Sequence, residues 1–118
     1  MFIKGKFTTL NEYTNSNRNN KFGGASIMKN NKAVAYYQML NKPKIKTPCK
    51  LRFTWYMKKA KNGKYHDPDN TAFCKKYILD AMVKAKIIPD DTFKHIKGFI
   101  DEFVLSDENG VKIERVEE

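Results

Sequence analysis

The strongest constraint on the fold of this chain is a strict alternation of apolar and polar side chains near its middle. Between residues 51 and 58, every second side chain is large and apolar: Leu51, Phe53, Trp55 and Met57. Successive side chains of a β-strand point to opposite faces, so this period of two predicts a strand with one buried face. The chain is therefore expected to contain a sheet with a half-buried strand at this position.

A helix is predicted after this strand and the basic loop at residues 58–64. Asp67 is a suitable capping residue, Pro68 is favoured at the first helical position, and Asp69 would lie in the electropositive first turn. The apolar side chains that follow have helical spacing: Cys74, Ile78, Ala81, Met82 and Ala85. Pro89 ends the pattern, because proline does not continue a helix.

The rest of the chain completes the order β-α-β-α-β-β. Residues 1–9 predict a first strand, and residues 14–41 predict a helix with one apolar face: Ile27, Val34, Tyr37 and Leu40. Residues 94–105 predict a third strand, and a turn at residues 107–110 leads into a last strand over residues 111–115. All 118 residues are expected to form a single α/β (α+β) domain.

Charge is distributed very unevenly along the chain. Residues 1–66 contain 15 of the 23 Lys and Arg and a single acid, Glu12, a net of +14, whereas residues 67–118 contain 8 bases and 12 acids, a net of −4. The overall net charge of +10 points to nucleic acid, an anionic membrane surface or an acidic protein as partner. A composition that is simply rich in Lys and Asn is the alternative explanation.

Two features of the sequence bear on where the protein resides. No apolar run approaches the roughly 20 residues of a membrane span, and no signal-peptide core follows Met1. We therefore expect a cytoplasmic protein with no membrane association. In that compartment Cys49 and Cys74 are expected to be reduced, free thiols.

The abrupt start of the acidic part at Asp67 points to a metal site. Two carboxylates about 4 Å apart repel by roughly 4 kcal/mol at an effective dielectric constant of 20. A divalent cation such as Mg²⁺, which prefers oxygen ligands, would relieve that repulsion between Asp67 and Asp69. Ordinary helix capping is the alternative use of this pair. A second acidic pair, Asp90 and Asp91, is also a candidate for metal binding, and the alternative is that it lies in a solvated turn.

Lys76 and Asp80 are candidates to share a helix face with Asp69. They follow Asp69 by 7 and 11 positions, and at 100° per residue a continuous helix brings all three within about 20° of one line. Lys76 would then lie on the same face as the metal site and contact a phosphate. The alternative is an ion pair between Lys76 and Asp80 at i,i+4 spacing, and both can hold.

These residues together resemble the RusA-type Holliday junction resolvases, a family of phage and prophage endodeoxyribonucleases. The resemblance rests on D-P-D-N at residues 67–70, K-x-x-x-D-A at residues 76–81 and D-D at residues 90–91. It implies a homodimer with a mixed sheet flanked by helices, which cuts branched DNA with Mg²⁺ or Mn²⁺ in the cytoplasm of a bacterial host. No small-molecule cofactor is implied.

The resemblance also implies a role for each site residue. Asp67, Asp69 and Asp91 would be the catalytic metal ligands, and Lys76 would be the catalytic lysine, with Lys75 as the alternative. The implied function is the resolution of Holliday junctions by paired nicks during DNA recombination and repair. Positive charge and expected proximity to the site mark four residues as expected DNA backbone contacts: Arg18, Lys21, Lys64 and Lys75. The alternative functions are a non-catalytic basic nucleic-acid-binding module and an interaction protein that docks an acidic partner.

Overall fold

A four-stranded mixed sheet forms the centre of the molecule. The computed structural model describes residues 1–19 and 23–117, and within them the strands are β1 (Phe2–Lys4), β2 (Cys49–Met57), β3 (Ile96–Leu105) and β4 (Gly110–Arg115). Their order in the sheet is β1-β4-β2-β3, with β2 parallel to β3 and antiparallel to β4. The prediction of an α+β fold with a mixed sheet flanked by helices is confirmed.

A pair of helices occupies each of the two predicted helix positions. In the described part of the chain these are α1 (Leu10–Asn19), α2 (Gly23–Met39), α3 (Pro68–Ala72) and α4 (Lys75–Lys84). The predicted order β-α-β-α-β-β therefore holds at the level of helical and extended regions. None of the helices in the described ranges is both long enough and apolar enough to cross a membrane.

The first helix begins at Leu10 rather than at residue 14, because the chain carries a capping pair there. Glu12 Oε1 accepts hydrogen bonds from the Thr9 backbone N–H (3.1 Å) and from the Thr9 hydroxyl (2.9 Å). The Thr9 carbonyl in turn accepts the N–H of Tyr13 (2.9 Å). A Thr followed three residues later by Glu is a capping box, which supplies partners for the polar groups of a helix start.

The second predicted helix is interrupted at Phe73 and Cys74. The N–H groups of Cys74, Lys76 and Tyr77 donate to carbonyls three residues back, at distances of 3.0, 3.2 and 3.1 Å. Such bonds are those of a 3₁₀ turn, which is tighter than an α-helix, so α3 and α4 are joined by a tight turn. Four of the predicted core residues on this stretch are nevertheless buried: Cys74, Ile78, Ala81 and Met82.

The core lies between one face of the sheet and the helices α2 and α4. All four apolar residues of the alternating pattern in β2 are buried, which confirms the predicted half-buried strand. The other face of β2 is polar. On that face Arg52 lies 3.5 Å from Glu102 of β3 and 3.7 Å from Glu114 of β4.

The predicted buried face of α2 is wrong. The structure buries Gly24, Ala35 and Met39, whereas Val34, Leu40 and above all Tyr37, at 70% exposure, face solvent. Residues 33–37 are apolar or aromatic all around the helix, so their spacing fits more than one face. Small side chains allow α2 to approach its neighbours closely, and the large aromatic ring is left outside.

The connection from β2 to β3 fixes where the candidate residues lie. Because β2 and β3 are parallel, the chain must return along the sheet between them, and α3 and α4 make that return. α3 therefore starts near the Met57 end of the sheet, and the residues after α4 lie near the Cys49 end. At the Cys49 end, the Ile45 N–H donates to the Ile87 carbonyl at 2.9 Å.

Candidate functional site

Asp67 and Asp69 lie at the start of α3, and both are exposed. Asp67 has extended backbone angles (φ −67°, ψ 152°), and its side chain makes no capping hydrogen bond, while Pro68 occupies the first turn. The Asp69 carboxylate accepts the N–H of Asn70 at 2.9 Å. Within residues 1–19 and 23–117, neither carboxylate pairs with a Lys, Arg or His. Both are therefore available to an external cation.

Asn70, the last residue of the D-P-D-N motif, has a structural role that the sequence reasoning missed. It is buried, and its Oδ1 accepts the backbone N–H of Asn11 at 2.8 Å. That bond ties the start of α1 to α3, the helix at whose start Asp67 and Asp69 lie. The signal in the sequence was the motif itself, since an Asn inside a helix is unfavourable unless its amide has a partner.

Asp90 and Asp91 lie near the other end of the sheet. α3 and α4 together cover residues 68–84, which is about 25 Å of helix at 1.5 Å per residue. The Asp91 N–H donates to Asp90 Oδ1 at 2.8 Å, and Asp91 is exposed, as in a solvated turn. The described residues of one protomer contain no group of three or more His, Cys, Asp or Glu that could hold a metal ion. One chain alone therefore does not gather Asp67, Asp69 and Asp91.

The adjacent residues Lys75 and Lys76 have different surroundings. Lys75 is 16% exposed, and its ammonium lies 2.6 Å from Asp101 Oδ2 on β3 and 4.5 Å from the ring centre of Phe99. The other oxygen of Asp101 accepts the indole N–H of Trp55 at 3.0 Å. The charge of Lys75, an expected DNA contact, is thus already neutralised inside the protein.

Lys76 is 58% exposed, and its ammonium lies 3.7 Å from Asp80 Oδ2. Asp80 also forms an ion pair with Lys32 of α2 at 2.8 Å. The i,i+4 pair considered for Lys76 is therefore present, but it is long, exposed and shared with a closer lysine. Such a pair is weak, so Lys76 keeps a cation that an external phosphate can reach.

Two of the other expected DNA contacts lie on different elements. Arg18 is exposed in the last turn of α1, and Lys64 is exposed in the loop between β2 and α3. Lys21 lies outside the described residues. In that loop the Lys64 carbonyl accepts the Ala60 N–H (2.8 Å), and the Lys64 N–H donates to Asn62 Oδ1 (3.0 Å).

A charged cluster that the sequence reasoning missed lies beside Asp67. Burial alone would raise the pKa of Glu12, but hydrogen bonds from Thr9 and the nearby charges of Lys6 and His66 outweigh it, so the pKa lies below its ordinary value. Lys6 is 3.5 Å from Glu12. His66 Nε2 is enclosed and has no hydrogen-bond partner in the described residues. The only sequence signal was that His66 directly precedes Asp67.

Neither of the two thiols is a candidate nucleophile or metal ligand. Cys49 and Cys74 are both free and buried. Burial raises the pKa of the Cys49 thiol, and it raises the pKa of Cys74 to about 12. A thiol with so high a pKa stays protonated at neutral pH and is a poor nucleophile and metal ligand.

No family model, curated protein or solved structure matches this chain. The resemblance to the RusA-type resolvases therefore stays a prediction. It rests on three short stretches, at residues 67–70, 76–81 and 90–91.

Proposed function

We propose that this protein is a metal-dependent endodeoxyribonuclease that resolves four-way DNA junctions. The observation that carries the proposal is the state of Asp67 and Asp69. They are two neighbouring carboxylates at the start of a helix, exposed and without a cationic partner in the described residues. The chain has a net charge of +10, so its surface favours a polyanion such as DNA. The two acids lie next to a lysine-rich loop and can bind a divalent cation, which would then contact the phosphates of that polyanion.

The residues present suit a hard divalent cation. Mg²⁺ usually takes one or two protein carboxylates and keeps several waters, and Asp67 and Asp69 offer such a pair. When bound, Mg²⁺ or Mn²⁺ would supply the Lewis-acid charge that activates water and stabilises the negative charge developing on the phosphate. The protein's own contribution is to hold that ion with Asp67 and Asp69 and to place the Lys76 ammonium against the scissile phosphate.

The proposed substrate requires two such sites. A four-way junction has two-fold symmetry, and resolving it needs matching nicks on opposing strands, which a two-fold homodimer with one site per subunit supplies. Asp91 joins the site only when a second copy of the chain brings it there, because the crossover separates it from Asp67 within one protomer.

The test is cutting of a synthetic four-way junction. We expect paired nicks with Mg²⁺ and none with EDTA. Asp69→Asn should lower the cutting rate by more than about 100-fold, because one oxygen ligand loses its charge. Binding of the junction in EDTA should be unchanged or tighter, because a carboxylate that repels phosphate is removed.

Glu117→Gln is the matched control, since it also neutralises an exposed carboxylate, but at the Cys49 end of the sheet and away from the lysine-rich loop after β2. It should cut at the wild-type rate. If Asp69→Asn cuts as well as this control, the assignment of the metal site is wrong.

A non-catalytic nucleic-acid-binding module is the second candidate function. The observation that favours it is the absence of a three-ligand group among the described residues of one protomer. That protein would bind the junction with salt-dependent affinity and leave it intact with Mg²⁺ and with Mn²⁺.

A further inference from the structure

We infer that a lysine-lined pocket at the Met57 end of the sheet binds a backbone phosphate of a DNA strand. We call it the lysine pocket, and its lining residues are Lys6, Lys58, Lys59, Ala60, Lys61, Asn62, His66 and Asn109. Three separate segments build it: the residues after β1, the loop after β2 and the turn before β4. The inference rests on the proposed function and adds a second anchor for the same DNA strand.

The charge of the lysine pocket is unbalanced. Four of its eight lining residues are lysines, none is an acid, and the volume is about 570 Å³. In the described part of the chain, Lys58, Lys59 and Lys61 form no salt bridge, and Lys6 is 3.5 Å from Glu12. Asp107 lines the adjoining pocket together with Lys58 and Lys59. An anion in the lysine pocket would therefore relieve repulsion among the cations.

Hydrogen bonds within the backbone hold the walls of this pocket in place. The Ala60 N–H donates to the Lys64 carbonyl (2.8 Å), and the Gly63 N–H, at a φ of +79°, donates to the Ala60 carbonyl (2.9 Å). Asn109, in the turn before β4, is hydrogen-bonded to both other segments. Its Oδ1 accepts the N–H of Lys58 in the loop after β2, and its carbonyl accepts the N–H of Gly5 after β1, both at 3.0 Å. A loop fixed before binding loses less entropy when the ligand arrives.

The lysine pocket adjoins the candidate metal site through His66. This residue lines the pocket, its enclosed Nε2 has no partner in the described residues, and the next residue in the chain is Asp67. A strand with one phosphate in the lysine pocket would therefore pass the start of α3, where Asp67 and Asp69 lie.

The lining chemistry favours a polymer backbone over a small metabolite. Sites for small molecules combine apolar walls with a few directed polar groups, whereas this one offers ammonium groups on long, flexible stems. Such groups hold phosphate without reading bases, which is the positioning contact of DNA-binding proteins.

The experiment compares two double variants for binding of a fluorescent four-way junction in EDTA over a range of salt concentrations. The first is Lys59→Gln with Lys61→Gln in the lysine pocket. The second, the matched control, is Lys42→Gln with Lys44→Gln, which removes the same charge from exposed lysines in the connector near the Cys49 end. Equal unfolding midpoints in urea confirm that both variants are folded.

We expect the pocket variant to bind at least about 10-fold more weakly than the control in 0.1 M salt. Its slope of log K against log salt concentration should be smaller in magnitude by about 0.9, for one lost phosphate contact. Lys59→Arg with Lys61→Arg keeps the charge and should bind like wild type. Pocket and control variants that bind equally would overturn the inference, and junction cutting by the wild-type protein would leave the proposed function standing. A wild-type protein that binds no DNA would overturn both.

Discussion

At the scale of single residues, two carboxylates at helix starts are used in opposite ways. Glu12 is committed to folding, since it accepts both hydrogen bonds from Thr9 and pairs with Lys6. Asp67 occupies the capping position of α3, yet its side chain makes no capping bond. A hydrogen bond from a capping carboxylate to the first turn stabilises a helix. Because Asp67 makes no such bond, its charge is available for another role. This contrast within one chain supports a functional role for Asp67.

The pKa of Glu12 leads to a pH-dependent prediction. Its pKa is lower in the folded chain than the ordinary value of 4.5, so its carboxylate adds stability at neutral pH. That contribution is complete above the unfolded-state pKa and is lost as the pH falls through the folded-state pKa. Because the side chain is partly exposed, we expect Glu12→Gln to lower the free energy of unfolding by only about 0.5 kcal/mol at pH 7.

Urea unfolding at pH 7 and at pH 3 measures this difference. The difference in unfolding free energy between wild type and Glu12→Gln should be smaller at pH 3 than at pH 7, because pH 3 lies below the ordinary pKa of 4.5 and the contribution of the carboxylate falls with pH there. Glu108→Gln, at an exposed acid in the turn between β3 and β4, should leave stability unchanged at both values of pH. A gap of the same size at pH 7 and pH 3 would contradict the assigned role of the Glu12 charge.

The sequence predicted Asp67 and Asp69 at a helix start because the signals for that start are local. It could not separate Lys75 from Lys76, since the two differ by 100° around the helix and only the fold decides which one faces Asp101. It also missed the lysine pocket. Lys6 and Asn109 are distant in sequence from Lys58–Lys61 and come together only through the pairing of β1 with β4 and of β4 with β2.

At the scale of elements, the start of α4 carries one lysine for folding and one for the proposed function. Lys75 docks α4 on the sheet through Asp101 and the ring of Phe99, while Lys76 points to solvent. We expect Lys75→Gln to lower the free energy of unfolding by about 2 kcal/mol, because it leaves a largely enclosed carboxylate without its cation. Lys76→Gln should cost less than about 0.5 kcal/mol and slow junction cutting at least about 10-fold.

Each variant serves as the control of the other. The stability of both is measured by urea unfolding, and junction cutting is measured without urea, where both variants are folded. The assignment fails if Lys75→Gln is as stable as wild type and cuts poorly while Lys76→Gln cuts normally. In that case the pair with Asp101 would open to release Lys75 for the phosphate.

The buried face was predictable for an element whose apolar residues fit one face, and it was not predictable for an element whose apolar residues fit more than one. β2 has a single apolar face, so its burial followed from the alternation. α2 has apolar side chains around much of its circumference, and the choice of Ala35 over Val34 and Tyr37 depends on how closely neighbouring elements approach. The break at Phe73 and Cys74 could not be predicted, because no proline or glycine lies there. Both residues also keep right-handed helical backbone angles.

At the scale of the whole molecule, the parallel pairing of β2 and β3 decides whether the three aspartates can meet. The return through α3 and α4 places Asp67 and Asp69 near one end of the sheet and Asp91 near the other. Sequence spacing gives no information on that separation, because it depends on strand direction. A site containing all three acids is therefore a property of the proposed dimer.

Mixed dimers of two inactive variants test that arrangement. If each site takes Asp67 and Asp69 from one subunit and Asp91 from the other, a dimer of one Asp69→Asn chain and one Asp91→Asn chain has both changes in one site and none in the other. The variants are co-expressed with different affinity tags, so that dimers carrying both tags are isolated. Sites built within one subunit would each carry one change, and this dimer would stay inactive.

We expect this mixed dimer to nick the four-way junction on one strand only, at about half the number of nicks made by wild type, because one of two equivalent sites is intact. Each parent homodimer should be inactive. A mixed dimer of Asp67→Asn and Asp69→Asn is the control, since those acids act from the same subunit and every site stays damaged. Rescue in that control would mean that Asp67 and Asp69 of one site come from different subunits, and no rescue with the Asp91→Asn partner would mean that Asp91 does not come from the second subunit. Either result contradicts the proposed arrangement. Gel analysis of both labelled strands distinguishes the single nick from paired cutting.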